Sequence, residues 1–256
     1  MITIHDLTYK RFPELLQKET LANLESQMAR AIATADAIVC VSESTRRELL
    51  RYYEVDRSRA FAIHSGLGTP ATSEPFDGLP ARYILFVSTI EPRKDLGTLL
   101  DAYERLRDSG AYDGSLVVVG RIGWKAQDLV PRLRGRGIVH LDYVRASQLA
   151  TIYERAEVFV FPSLYEGFGF PLLEAMARGV PSIAARSSSL PEIGGDAALY
   201  FEPRDVDGLV GQLMRVLNDA SVREELARGG RERAASFRWE RAAAETLAVF
   251  RRVAGT

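Results

Sequence analysis

The sequence is poor in several kinds of residue, and each shortage narrows the class of protein. Its 256 residues include one cysteine, Cys40, inside the apolar run AIVCV, so no disulfide can form within the chain. We interpret Cys40 as a small core residue and expect a reducing compartment. No apolar run approaches the roughly 20 residues that cross a bilayer as a helix. The net charge of −1 gives no general attraction for polyanions, so we expect no nucleic-acid partner.

Histidine and lysine are also scarce, with three histidines and four lysines against 29 arginines. No clustered histidine and cysteine pattern indicates a metal site, so we expect no metal and no other cofactor. The segment DVD (205–207) resembles a metal-binding Asp-x-Asp motif, but it follows Pro203 and begins an amphipathic helical pattern. We interpret its aspartates as a helix cap and as partners of the helix dipole.

Short β-rich runs alternate with helical patterns, and this predicts an α/β fold built on parallel sheets. Six strand candidates lie in the larger part of the chain, at 83–88, 115–120, 138–141, 158–162, 181–185 and 198–201. Most are followed by a helical segment. Residues 81–236 are therefore predicted to form a complete, doubly wound, Rossmann-like domain.

The first part of the chain is shorter and predicts a partial second domain. Its strand candidates are 2–5, 37–41 and 60–63. We assign residues 1–66 to the remnant of a Rossmann-like domain, and 67–80, in a stretch rich in Gly, Pro, Ser and Thr, to a linker. Residues 237–256 are predicted to form a helix that packs back toward the amino-terminal part. Three strands alone would leave an unpaired edge and an uncovered face, so we expect preceding strands to be missing.

The most informative segment is YEGFGFPLLEAMARGVP (165–181), which follows the strand ending at Pro162. Ligands of open α/β sheets bind beyond the carboxyl ends of the strands. Pro171 suits the first turn of a helix, and Gly167 and Gly169 permit unusual backbone angles and a close approach to a ligand. A helix start favours an anion such as phosphate. The carboxylates of Glu166 and Glu174 can accept hydrogen bonds from sugar hydroxyls, so the segment is suited to binding a nucleotide sugar.

This segment resembles the signature of the retaining glycosyltransferases of family four, which have the two-domain GT-B fold. The resemblance is strongest over residues 83–203 and extends over essentially the whole chain. Other segments agree with the family in order and spacing: IHDLTYKRFPE, ADAIVCVSESTRREL, ILFVSTIEPRKDLGTLLDAY, LVVVGRIGW, SSLPEIGGDAALYFEP and FRWERAAAETL. The fold class implied is α/β of GT-B type, with one complete Rossmann-like domain and most of the amino-terminal, acceptor-side domain absent.

The resemblance also implies roles for individual residues. Glu174 resembles the glutamate that binds the nucleotide ribose, and Glu166 resembles the one beside the donor sugar. Lys94 resembles the lysine that neutralises the donor diphosphate. His5 resembles a histidine in the cleft between the domains. The remaining donor-binding candidates are Gly167, Phe168 and Gly169 in the turn and the cations Arg93 and Arg121.

One position departs from the family pattern. Many members carry an arginine five places before the lysine, where this chain has Thr89. We expect an altered phosphate clamp in which Arg93 compensates.

The function implied is metal-independent transfer of a hexose from a nucleotide diphosphate sugar to a polysaccharide or glycolipid hydroxyl. Catalysis would rest on Glu166, Lys94 and His5. The form TIEPRKDL resembles mannosyltransferases, so GDP-mannose is the first donor and a UDP-sugar the second. The alternative is a non-catalytic or split-enzyme half that binds a nucleotide sugar and needs a missing acceptor domain. For the chain in general we expect either self-association or a partner chain that supplies the missing strands. We expect a cytoplasmic location, either in bulk or at the inner face of the membrane.

Overall fold

The fold is built around two parallel β-sheets, and a computed structural model describes residues 1–16, 18–69 and 71–255. The smaller sheet has the spatial order β1-β2-β3, and its strands are β1 (Ile2–Ile4), β2 (Ile38–Cys40) and β3 (Ala60–Ala62). The larger sheet has the order β6-β5-β4-β7-β8-β9. Its strands are β4 (Tyr83–Val87), β5 (Ser115–Val119), β6 (Ile138–Leu141), β7 (Val158–Phe161), β8 (Ser182–Ala185) and β9 (Leu199–Phe201).

Helices connect most pairs of consecutive strands. They are α1 (Thr8–Arg11), α2 (Lys18–Thr34), α3 (Glu43–Tyr52), α4 (Leu96–Asp108), α5 (Ala146–Glu154), α6 (Phe170–Ala177), α7 (Leu190–Gly194), α8 (Val206–Asn218), α9 (Ala220–Ala234) and α10 (Trp239–Ala254). Two predicted caps are confirmed. The Ser42 side chain accepts from the Thr45 amide at the start of α3, and Asp205 accepts from the Gly208 amide at the start of α8.

The larger sheet has a hydrophobic core on each face, as the near-continuous apolar strands predict. Alternate residues of β4 point to opposite faces, so Ile84 and Phe86 pack with α4 and α8, while Leu85 packs with α5 and α6. Every residue of β4 is buried. The doubly wound α/β architecture predicted for this part of the chain is confirmed.

The smaller sheet is covered by α2 and α3 on one face and by α10 on the other. Ala242 and Val249 of α10 pack against Val39 and Ile63. The expectation that this sheet exposes an apolar face was wrong, because the last helix of the chain returns to cover it. Within the described residues β1 pairs on one side with β2 alone. The domain boundaries drawn from the sequence remain a prediction.

Candidate donor and acceptor cleft

The turn after β7 lies at the carboxyl edge of the larger sheet and leads directly into α6. Gly169 caps the helix with φ of 109°, a left-handed conformation that strongly favours glycine. Pro171 occupies the first helical turn, where no intrahelical N–H is required. The sequence prediction for the start of α6 is confirmed at both positions. The turn itself is buried from Tyr165 to Gly169.

Gly167 makes a close approach to the backbone of His5, in the direction that a Cβ would occupy. A Cβ built at this residue would lie 1.8 Å from the carbonyl oxygen of His5. The Gly167 carbonyl accepts hydrogen bonds from Ser42 Oγ at 2.7 Å and from Thr45 Oγ1 at 3.2 Å. The glycine therefore allows the turn to dock against the β1–α1 loop and the start of α3.

A buried cluster of charges surrounds Glu166. Lys94 Nζ lies 2.5 Å from Glu166 Oε1, and Arg93 Nη1 lies 3.2 Å from Glu166 Oε2. Arg93 also bonds to Glu91, with 2.8 Å between Nη2 and Oε1. The Lys94 and Glu166 side chains are each 10% exposed. Two cations thus face two carboxylates, which compensates the cost of burying them.

The two parts of the chain meet at a cavity of about 250 Å³. His5 and Asp6, which follow β1, line it on one side, and Glu166 lines it on the other. Residues 167–171, which lead into α6, also line it, together with Val41 and Ser65. The structure therefore brings together five predicted site residues: His5, Glu166, Gly167, Phe168 and Gly169.

Glu174 lies in a second cavity, of about 230 Å³, one turn further along α6. Tyr153 donates a hydrogen bond to it, with 3.1 Å between the hydroxyl and Oε2. Burial raises the pKa of the Glu174 carboxyl above its ordinary value, although Tyr153 and Arg178 oppose that shift. The remaining wall is largely apolar and is formed by the linker, α5 and the end of α6: Leu67, Gly68, Thr69, Ala71, Ala146, Leu149, Ala150, Ala177 and Arg178.

Arg121 is a predicted site residue that lines neither cavity. It follows β5 and is exposed, with its guanidinium carbon 5.6 Å from the Tyr143 ring centroid. The guanidinium beside Glu166 is that of Arg93. Of the two arginines proposed to share the work of Lys94, Arg93 is therefore the one that lies in the cluster.

Three serines that sequence reasoning missed support the Glu166 turn. Ser188 Oγ accepts from the Glu166 amide at 2.7 Å, and Ser189 Oγ lies 2.7 Å from the Phe168 carbonyl, to which it donates. Ser187 Oγ donates to the Ser163 carbonyl at 2.6 Å. These serines follow β8, the neighbour of β7 in the sheet. The position of these serines after β8 was a signal that could have identified them, because the carboxyl ends of neighbouring parallel strands lie at the same edge of a sheet.

The two aspartates at the start of α8 make contacts with the protein itself. Asp205 caps the helix, with 2.9 Å between Oδ1 and the Gly208 amide, and Asp207 pairs with Arg105. Across residues 1–16, 18–69 and 71–255, no group of three or more His, Cys, Asp or Glu residues is arranged to hold a metal ion. None of the described helices is long and apolar enough to cross a membrane.

Comparison with known proteins agrees with this architecture. Residues 81–219 match the model of the glycosyl transferases group 1, and residues 1–69 match that of glycosyltransferase family 4. The fold and these matches together define a glycosyltransferase with the GT-B architecture. The chain belongs to the glycosyl transferases group 1.

The curated relatives include mannosyltransferases. O-antigen chain mannosyltransferase B of Escherichia coli is 32% identical over 97% of this chain and 69% of its own length. The MMP alpha-(1->4)-mannosyltransferase of Mycolicibacterium hassiacum is 32% identical over 89% of this chain. The present chain covers 56% of that second relative's length.

Solved structures share the fold at lower identity. Sucrose-phosphate synthase from Thermosynechococcus elongatus superposes with a TM-score of 0.80 at 23% identity, covering 99% of this chain and 68% of that one. HepE of Anabaena, in complex with UDP and glucose, gives a TM-score of 0.78 at 18% identity, covering 96% of this chain and 71% of that one.

Proposed function

We propose that this glycosyltransferase transfers mannose from GDP-mannose, with retention of configuration, to a hydroxyl group of a polysaccharide or glycolipid. One observation carries the proposal: α6 lies between two cavities. Its start, beside Glu166 and His5, lines one of them, and Glu174 lines the other. A nucleotide sugar laid along this helix would place its sugar in the first cavity and its nucleoside in the second.

The start of α6 would receive the diphosphate. A helix amino terminus favours an anion, because its amides and dipole point toward it. Lys94 and Arg93 lie beside Glu166, next to this helix start. The leaving nucleoside diphosphate gains negative charge as the glycosidic bond breaks, so nearby fixed cations would stabilise the transition state.

The sugar would lie between Glu166 and His5. In the family that the sequence resembles, a donor phosphate oxygen helps to deprotonate the acceptor as it attacks from the front face. Positive charge then develops at the sugar, and the Glu166 carboxylate would stabilise it. His5, which follows β1 on the opposite wall, would orient the sugar or the acceptor hydroxyl.

The nucleoside would occupy the cavity around Glu174. An ionised carboxylate that already accepts from Tyr153 has further lone pairs for the two ribose hydroxyls. Leu149, Ala150 and Leu67 offer apolar surface to the base. Two curated relatives are mannosyltransferases, which supports GDP-mannose ahead of a UDP-sugar. Use of such a donor suits a cytoplasmic location, at the inner membrane face if the acceptor is a lipid.

A transfer assay tests this function. The chain would be incubated with GDP-mannose or UDP-glucose and a panel of mannosyl and lipid-linked acceptors, with the anomeric configuration of the product read by NMR. We expect an α-mannosyl product from the α-configured donor, and much slower transfer by Glu166→Gln. A β-linked product would contradict retention. Preference for UDP-glucose would contradict the choice of donor.

A second candidate is a nucleotide-sugar binding unit that transfers only when further strands are supplied. It is favoured by the unpaired side of β1 within the described residues. Such a unit would bind GDP-mannose without turnover and would self-associate or recruit a partner chain through this edge. Binding with transfer in a monomeric sample would exclude it.

A further inference from the structure

The Glu192 carboxylate joins the two parts of the chain. It lies on α7, beside the larger sheet, and accepts hydrogen bonds from the first amides of α3, Glu43 N at 2.7 Å and Ser44 N at 2.9 Å. Its Oε1 also lies 2.5 Å from His64 Nε2, at the end of the smaller sheet. The Glu192 side chain is 17% exposed. A carboxylate at a helix start is favoured by both the amides and the dipole.

The same helix start holds the turn that carries Glu166. Ser42 and Thr45 donate to the Gly167 carbonyl, directly after Glu166 in the chain. A displacement of the start of α3 would therefore move the atoms that fix Gly167. Glu192 is connected to Glu166 through three hydrogen-bonded elements: its own carboxylate, the start of α3 and the Gly167 carbonyl.

A second connection runs along the chain itself. Ser188 and Ser189, which bond to the backbone of Glu166 and Phe168, immediately precede α7. Ser188 has φ of 44°, a left-handed conformation that is uncommon for serine and requires support from its surroundings. Anchoring α7 to α3 through Glu192 therefore also restrains these serines.

We propose that Glu192 is a positioning residue for Glu166: by holding the start of α3 against the larger sheet, it fixes the Glu166 carboxylate beside the donor sugar. The inference rests on the function proposed above. Glu192 itself does not line either cavity, so it acts through the turn and not by contact with donor. A small misplacement of a catalytic group suffices to slow a reaction strongly.

Hydrogen exchange and kinetics of Glu192→Ala test the proposal. We expect faster amide exchange in the peptide spanning 164–170 than in wild type, and kcat lower by about tenfold or more with a smaller change in KM. The affinity for GDP should change by less than about twofold, because Glu192 is not one of the residues that line the Glu174 cavity. Glu192→Gln keeps an acceptor for the amides and should recover part of the loss.

Glu202→Ala is the matched control, because Glu202 is exposed and pairs with Arg186 at 3.2 Å. It should leave both exchange and kinetics as in wild type. Should Glu192→Ala not fold, the Gln variant carries the comparison. Unchanged exchange at 164–170 with normal GDP binding would overturn the positioning role while leaving the proposed function intact. Failure of the wild-type chain to bind GDP would instead overturn the proposed function.

Discussion

Lys94 and Glu166, 72 positions apart in the sequence, form a buried ion pair with 2.5 Å between Nζ and Oε1. The lysine follows β4 and the glutamate follows β7, which are neighbouring central strands of the larger sheet. The proposed diphosphate-binding cation and the proposed sugar-binding carboxylate are thus in direct contact. Donor binding would then place a nucleotide sugar against a group of charges that is already assembled.

Replacing Lys94 by alanine should weaken both the fold and donor binding. It leaves the buried Glu166 with Arg93 as its remaining cation, so the loss of stability should fall below the roughly 3–5 kcal/mol typical of an orphaned buried charge. Thermal unfolding, with and without GDP, measures both effects. Lys18→Ala, at an exposed position at the start of α2, is the control. Unaltered GDP stabilisation in Lys94→Ala would place the diphosphate elsewhere.

Donor binding should release protons in the pH range around the raised pKa of Glu174. Burial raises the pKa of Glu174, whereas hydrogen bonds from ribose hydroxyls to the carboxylate would favour its charged form and lower that pKa. The affinity for GDP-mannose should therefore fall as the pH drops through the raised pKa of Glu174. In the unliganded chain the ionised Glu174 carboxylate lowers the free energy of unfolding at pH values above its raised pKa. Protonation of Glu174 at lower pH removes this destabilisation.

Calorimetry of GDP-mannose binding in two buffers of different ionisation enthalpy detects this proton release. The diphosphate of the sugar nucleotide carries no terminal phosphate to titrate in the same range, which makes it a better probe than GDP. Glu174→Ala should abolish the buffer dependence. Proton uptake in place of release would contradict the assignment of Glu174 to the ribose.

Adding a methyl group at Gly167 should separate the two parts of the chain. Its Cβ would meet the His5 carbonyl at 1.8 Å, a backbone atom that cannot move aside alone, so we expect a loss of about 1–3 kcal/mol. Gly211→Ala in α8 is the contrast, since nothing lies within 4 Å of its Cβ and alanine should stabilise that helix by about 0.5–1 kcal/mol. Chemical denaturation of both variants measures the difference. Equal stabilities would show that the turn does not depend on this contact.

Removal of divalent metal should leave donor binding unchanged. The charges that would neutralise the diphosphate belong to Lys94 and Arg93, and Asp205 and Asp207 are occupied as a helix cap and as a partner of Arg105. Titration of GDP-mannose in EDTA, compared with titration in magnesium or manganese, tests this expectation. Binding that required either metal would contradict the proposed GT-B mechanism.

Much of the fold followed from local sequence signals. Strands such as 83–88 and 158–162 were visible because they are buried on both faces and hence continuously apolar. The caps at Ser42 and Asp205 were visible because their hydrogen bonds reach only three residues. Glu166 and Glu174 were predicted as site residues because both lie on one short segment that joins a strand end to a helix.

The tertiary contacts could not be predicted from local sequence signals. The pairing of Lys94 with Glu166 depends on β4 and β7 being neighbours, which strand order along the chain does not reveal. Ser188 has no charge or periodic pattern to distinguish it from a loop residue. The approach of the His5 carbonyl to Gly167 depends on how the two sheets meet, and no local sequence signal predicts it.

The most direct test of the central claim is a calorimetric titration of GDP-mannose, GDP and UDP into wild type and Glu174→Ala. If the nucleoside occupies the Glu174 cavity and GDP-mannose is the donor, wild type should bind GDP and GDP-mannose more tightly than UDP. The variant should lose about 1.5–3 kcal/mol of binding free energy, as is typical of hydrogen bonds to a charged group. Equal affinities of wild type and Glu174→Ala for GDP-mannose would contradict the account.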